Sequence, residues 1–413
     1  MKIERRHTGI LALALVNAAV LVLLTLAGNS VARDSDGTGS LMKRLDVARR
    51  IYADKVTGAA VTTPAEVAAE FFPVNIGYDR EMVGAFDEFG IPAGQRAVVG
   101  RRRLADFLDS IDGAPYKSVI VDVHFFKSDS TEADSTLFAA INRLPGLLVS
   151  ANPDGDAVDI IDTARLASSE YNITLDEDNF VKYRYDHGTV KDMALGTYNI
   201  RNRCDVSLAG LFPVDRGRLA GGCLALWMPY VIESAYDDEG NKTYYNLSAD
   251  LLDVYSRAEL AELVRGKTVV IGDYVGGDDH DTYAGTLAGP VILINAVMAL
   301  EAGRHIIDWR WMGAFFIIYA LLTLMLVCEP AKMLPGSLGR SRFWRFVLTG
   351  LSFGMVIVSL NIIMYFFTGV LYDLFFPTLW LTALYFMKDH ADALRRCLGK
   401  ISVFIRKKFS HSS

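Results

Sequence analysis

Residues 267–273 read Lys-Thr-Val-Val-Ile-Gly-Asp. Four consecutive β-branched residues favour an extended chain, and the Gly-Asp pair that follows marks where the strand gives way to a loop. Upstream, Leu251, Leu252, Tyr255, Leu260 and Leu263 predict a helix over 249–264; downstream, Ile292, Ala296, Ala299 and Leu300 predict another over 289–303. The same rhythm runs through the first half of the chain. Phe72–Tyr78 and Ser118–Phe126, with Val-Ile-Val-Asp-Val-His-Phe-Phe at its core, read as strands, and Gly146–Ser150 is a further apolar stretch. Leu104, Phe107, Leu108 and Ile111 form a helical stripe, and Asp134–Arg143 reads as another helix. Strands that alternate with helical patterns describe βαβ units, so the fold class expected is an α/β domain with a mostly parallel or mixed sheet. Residues 172–229, rich in Tyr, Val and Gly, interrupt the rhythm and read as a β-rich insertion. A polar linker, Asp34-Ser-Asp-Gly-Thr-Gly-Ser40, precedes the domain and leads into Leu41, Leu45, Ala48 and Tyr52 at helical spacing.

The chain has 413 residues, 51% hydrophobic, and a mean hydropathy of +0.24. The apolar excess lies at its ends. Four runs, 9–28, 311–328, 346–367 and 370–387, approach the roughly 20 helical residues that cross about 30 Å of hydrocarbon, so four transmembrane helices are expected. The stretch between the first two holds 28 Lys and Arg against 43 Asp and Glu over 33–311, a net charge of −15, while the remainder carries +9. An acidic domain repels phosphate, which argues against nucleic acid as a partner. Basic residues collect on the stub 1–8, the loop 329–345 and the tail 388–413, the three segments that four crossings place on one side. By the positive-inside rule these are cytoplasmic, and residues 33–308 are extracytoplasmic, on a multi-pass protein of the plasma (inner) membrane. The first run, longer than a usual signal core, reads as an uncleaved signal anchor.

Three stretches carry a resemblance. Asn75-Ile-Gly-Tyr-Asp79 with Phe86–Gly90, then Val119-Ile-Val-Asp122-Val-His-Phe with the helix 134–141, then Gly266–Gly272 with Asp278-Asp-His-Asp-Thr282 and Gly289-Pro-Val-Ile-Leu-Ile-Asn295-Ala296 resemble the motifs of the type-two CHASE domain. That family is a bacterial extracytoplasmic sensory module placed between one anchor and three closely spaced membrane helices. Where it has Trp-Pro-Trp-x-Arg this chain has Ile91-Pro-Ala-Gly-Gln-Arg96, and its helix-opening His is Asn295. The resemblance implies signal transduction, with a kinase or cyclase module after the last helix. Here the residues after 387 are too few for a folded catalytic domain, since chains below about 40 residues rarely sustain a core alone. The expectation is therefore a non-catalytic subunit that acts through a separate membrane or cytoplasmic partner.

The densest chemistry is Asp273, Asp278, Asp279, His280, Asp281 and Thr282, after the strand that opened this section. Loops at the carboxyl ends of parallel strands bind ligands, so these residues, with Asp79 and Asp122 at the ends of two other expected strands, form the candidate site for an unknown extracytoplasmic ligand. Carboxylates beside an imidazole also suit a divalent cation, and a solvated turn eased by Gly276 and Gly277 is the structural alternative. Asp122 and His124 fall on one face if the strand runs through them, and Asp122 capping a helix is the alternative there. Arg101, Arg102 and Arg103 read as a solvated basic face. Cys204 and Cys223 are the expected disulfide of an exported domain, two buried thiols being the alternative. No resident cofactor is expected. Beside the receptor stand two other readings, a metal-dependent ecto-enzyme and a structural membrane scaffold.

The charge asymmetry generates a topology test. In a chain freed of its native cysteines, Gly240→Cys is expected to react with an impermeant thiol reagent on intact cells, and Arg340→Cys only after the cells are opened. The reverse pattern rejects the orientation.

Overall fold

The computed structural model describes, with short gaps, residues 2–30, 64–151, 160–169, 182–327, 354–364 and 372–389. The linker and helix expected over 34–52, the whole inner loop 329–345 and nearly all of the tail lie outside the described residues. The chain divides into two compact units, an α/β unit within Asp34–Ile306 and a helical unit formed by the chain's two ends.

Helix α1 (Lys2–Ser30) belongs to the helical unit. The α/β unit begins with α2 (Pro64–Glu70), β1 (Phe71–Asn75), a hairpin of β2 (Arg80–Phe86) and β3 (Pro92–Val99), α3 (Arg101–Ser110), β4 (Ser118–Val121), α4 (Asp134–Arg143), β5 (Leu147–Ser150) and β6 (Leu166–Ala167). It continues through α5 (Met193–Asn202), β7 (Tyr245–Asn246), α6 (Arg257–Leu263), β8 (Thr268–Gly272), a hairpin of β9 (Asp279–Thr282) and β10 (Gly285–Ala288), and α7 (Gly289–Glu301). Six strands pair in the order β7-β1-β8-β4-β5-β6, every pair parallel. The mostly parallel α/β sheet expected from the sequence is present.

Both faces of this sheet are covered, which is why its central strands are apolar except for Ser118 and Thr268 at their starts, whose hydroxyls meet at 2.9 Å, and Asn75 at the end of β1. Val269, Ile271, Val119 and Val121 pack with α3, α4 and α6; Val270 and Ile120 point the other way, into α5 and α7. The alternation assigns the layers: α3, α4 and α6 cover one face, and α5 and α7, with Val67 of α2, cover the other. At the carboxyl edge the buried Asn75 side chain ties three strand ends together, donating to Asn246 Oδ1 (2.8 Å) and accepting from the backbone of Gly77 (3.0 Å) and Tyr274 (3.1 Å).

Several expectations are corrected. The helix expected over 249–264 is broken in two: Leu247–Leu252 forms a short π-helical segment, and a new helix starts at Arg257, where Ser256 and Glu259 form a capping box. The strand expected through Phe126 ends at Val121, so Asp122 and His124 do not share a strand face; the last ladder bond runs from Asp122 N to Ile271 O at 2.8 Å. The insertion contains α5, buried nearly all round and capped by Asp192 on Leu195 N at 2.8 Å; uniform burial had hidden its period. Arg101 is not on a solvated face but is 2% exposed, paired with Asp134 and set over the rings of Phe125 and Phe138. Cys204 is a free thiol, not a bridged one. It follows the left-handed cap at Arg203, which turns its sulfur toward Asn199 Oδ1 (3.6 Å) and Arg216 Nη2 (3.8 Å).

In the helical unit, α1 joins α8 (Trp309–Val327), α9 (Gly354–Met364) and α10 (Phe375–Asp389). Two of the helices, α1 and α8, are long and apolar enough to cross a membrane, with mean hydropathies of 2.7 over Thr8–Ala27 and 1.9 over Trp309–Val327. Asn17 Nδ2 donates to Thr323 Oγ1 (2.8 Å), and Asn17 Oδ1 accepts from Trp380 Nε1 (2.9 Å), so one side chain links α1, α8 and α10. The Thr25 and Tyr319 hydroxyls meet at 2.8 Å. Polar groups inside apolar helices find partners on neighbouring helices because hydrocarbon offers none.

Ile271 is fully buried in the central strand. Ile271→Ala is expected to destabilise the α/β unit by about 2–5 kcal/mol, read as a lowered unfolding midpoint of the detergent-solubilised chain. A change below about 1 kcal/mol contradicts a doubly covered sheet.

Candidate functional site

After β4 the chain leaves toward α4 on one face of the sheet, and after β8 it leaves, through the β9–β10 hairpin, toward α7 on the other. Neighbouring strands whose continuations part in this way open a crevice beyond their carboxyl ends. A cavity of about 560 Å³ occupies this place. Of the expected site residues, Asp122, Asp273, Asp278 and His280 line it.

The other four are engaged elsewhere. Asp79 is buried and takes hydrogen bonds from Arg103 Nη1 (2.8 Å) and from the Ser248 hydroxyl and backbone, bracing α3 against the segment after β7. Asp279, Asp281 and Thr282 belong to β9, which sequence had read as loop. Asp279 is exposed; Asp281 accepts from Thr286 Oγ1 (2.7 Å) and Thr282 donates to Gly285 O (2.7 Å), both closing the hairpin.

Asp122 is the first residue beyond β4. Its Oδ2 is sealed from solvent and has no hydrogen-bond partner among the described residues. Burial, and then the negative charge of Asp278, push its carboxyl up to about 7, against a hydrogen bond from Ser169 and the pull of His280. The start of α7 reaches this carboxylate because two glycines clear the way. A Cβ on Gly272 would collide with the ring of Pro290, and one on Gly289 would collide with Asp278 Oδ2 while standing 3.4 Å from Asp122 Oδ2. The two carboxylates therefore lie side by side at the first turn of α7, whose positive end attracts them. Asp278 also accepts Gly289 N on its carbonyl (2.8 Å) and meets His280 Nε2 on Oδ1 (3.0 Å), and that hydrogen bond raises the His280 pKa.

Asp273 is spoken for. Its Oδ2 receives Arg80 Nη2 at 2.5 Å and its Oδ1 receives Val275 N at 2.9 Å. A polar chain leads away from Asp122: Ser169 bonds it and also Ser150, whose hydroxyl lies 3.1 Å from His124 Nε2 near the surface. Sequence reasoning missed Arg80, Arg101, Ser150 and Ser169 as neighbours of the crevice. Arg80 lies in a hairpin without a pattern of its own, and Ser150, at the end of β5, and Ser169, just beyond β6, come near the end of β4 only through the sheet order. Among the described residues no three His, Cys, Asp or Glu side chains converge on a point that suits a metal ion. Set against protein-family models, curated proteins and solved structures, the chain has no match.

The raised Asp122 pKa has a stability consequence. Unfolded, the group ionises near the usual carboxylate value; folded, it stays protonated up to about 7. Stability therefore falls as pH rises from about 4 to 7, by a total on the order of 4 kcal/mol, then levels with respect to this group. The raised His280 pKa acts in the same direction above its unfolded value, its stabilisation being lost as pH rises through the folded one. Asp122→Asn is expected to flatten the fall between pH 4 and 7 and to be the more stable chain at pH 8. Parallel denaturation curves for variant and wild type across that range would contradict the assignment.

Proposed function

We propose that the chain is a membrane-anchored receptor subunit: its α/β unit, outside the plasma (inner) membrane, binds a small molecule in the crevice between β4 and β8, and four helices pass the signal to a separate membrane or cytoplasmic partner. The observation that carries this reading is the crevice itself. It stands at the carboxyl edge of a parallel sheet, where connections part, and holds a buried carboxylate oxygen without a donor. The membrane part rests on the two long apolar helices, on the third and fourth apolar runs, within which α9 and most of α10 lie, and on the basic flanks. The type-two CHASE resemblance agrees in layout and implies a bacterial sensory role.

A second reading has its own support. A carboxyl that titrates near 7 beside an Asp–His pair is equipped for general acid–base chemistry, so an ecto-enzyme would use Asp122 and His280. The scaffold reading has no such site-level support.

The test is a screen of small metabolites against the full chain in lipid nanodiscs, followed by recovery of the binder. A receptor is expected to show a raised unfolding midpoint, about 2.7 kcal/mol of stabilisation at a hundredfold excess over Kd. The response should be lost in Asp122→Ala, and the ligand should be recovered chemically intact. Recovery of a converted product establishes the enzyme, and a screen with no binder removes the receptor reading.

A further inference from the structure

The charges around the crevice do not cancel evenly. Arg80 is matched by Asp273, Arg101 by Asp134, and Arg96, beside the wall, by Asp129. These pairs leave Asp122 and Asp278, with His280 on the outer one. The rest of the wall is apolar, with Ile76, Val98, Val99, Phe125 and Phe126, apart from Ser169 and His124 on the side of Asp122. A buried acceptor without a donor is costly, and a carboxylate more so.

We infer that the crevice takes a small organic cation, a primary or secondary ammonium bearing an apolar group, whose N–H groups bond Asp122 Oδ2 and Asp278 while the apolar group lies against the Phe125–Phe126 wall. The inference rests on the reading of the crevice as a ligand site and names what that site selects. An anion finds its cations already paired and the positive end of α7 covered by two carboxylates. A divalent metal ion asks for more ligands than Asp122 and Asp278 supply, and among the described residues no three His, Cys, Asp or Glu side chains converge to hold one. A quaternary ammonium carries the charge but lacks the N–H that the orphan oxygen requires.

Selection by charge couples binding to protons. The cation prefers the ionised carboxyl, so below about pH 7 Asp122 must give up its proton as the ligand enters. Affinity then rises with pH, by up to about tenfold per unit, until Asp122 is ionised in the free protein. The groups that face Asp122 are Asp278 and His280 from the segment before α7, and the Arg80–Asp273 pair at the end of β8. Ser169, after β6, leads to Ser150 and His124, a route from the buried oxygen toward solvent. Arg101 and Asp129 are on its own side of the crevice, each already ion-paired. Protonated His280 repels a cation, which adds to the same pH trend and is separated from it by His280→Gln.

The test uses isothermal titration of the full chain in nanodiscs with four probes: 2-phenylethylammonium, neutral 2-phenylethanol, anionic 3-phenylpropionate and calcium. The ammonium is expected to bind at least about tenfold more tightly than the alcohol or the acid. Its heat at pH 6.5 should vary with the ionisation enthalpy of the buffer, which reports proton release. Asp122→Asn, close in shape, should lose about tenfold or more in affinity together with the proton release, while His280→Gln keeps the release. The alcohol or acid binding as tightly as the ammonium, or an Asp122→Asn chain that binds unchanged, overturns the inference. So does calcium binding at the ammonium's affinity with the same dependence on Asp122, or no binding of the ammonium at millimolar concentration. The receptor reading survives each of these results, since it falls only when the broad metabolite screen finds no binder or recovers a product.

Discussion

The parallel pairing of β8 between β1 and β4 is the constraint on which the α/β unit depends. Parallel strands cannot be joined by tight turns, so each return requires a crossover that lays helices against the sheet. Once both faces are covered, the central strands must be apolar wherever no partner satisfies a polar group; Val269, Val270 and Ile271 are, and the buried Thr268 hydroxyl is taken up by Ser118. All six strands then end at one edge. That edge is where backbone groups stop being satisfied by a ladder and side chains must take over, and Asn75 does so for three strands at once.

From that edge the crevice follows by topology. The chain leaves β4 for one layer and β8 for the other, and the gap between the two departures is walled by whatever residues come next. On β4 that residue is Asp122, on β8 Asp273. Equivalent in position, they differ in fate: Asp273 has Arg80 and a backbone amide, whereas one oxygen of Asp122 has no hydrogen-bond partner among the described residues. The difference arises because the β2–β3 hairpin delivers an arginine to one strand end, while glycines at 272 and 289 bring the start of α7, and with it Asp278, to the other. A carboxyl pressed against a second one and withdrawn from water keeps its proton to near neutrality. This makes the same residue a cost in the empty protein and a source of selectivity toward a donor.

The helical unit solves a different problem with the same rule. Its helices satisfy their backbones internally, which leaves the few polar side chains as the elements that specify neighbours. Asn17 is engaged by two helices, and Asn361 holds the backbone of Tyr372 from both sides, at 2.8 and 3.1 Å, which links the third apolar run to the fourth. Apolar packing alone would leave several rotations of these helices nearly equal in energy.

The sequence by itself determined the α/β class and the parallel character of the sheet, because the repeat of short β-branched runs and helical stripes is a local signal. It also determined where the apolar helices fall, since hydropathy is additive along the chain. Half of the candidate site was legible for a related reason: Asp122 and Asp273 directly follow strands, and Asp278 and His280 lie on the segment that continues from β8. Tertiary structure alone decided the rest. Asp79, Asp281 and Thr282 have the composition of site residues and are used as braces and hairpin clasps, Arg101 has the composition of a surface residue and is buried, and Cys204 is turned away from a bridge by the cap before it. The physical reason is the range of the forces involved. Periodicity and propensity act over a few residues, whereas pairing of charges and relief of buried polar groups depend on which distant segments the sheet order brings together. Arg80 finds Asp273, 193 positions away, only after the strands have been ordered.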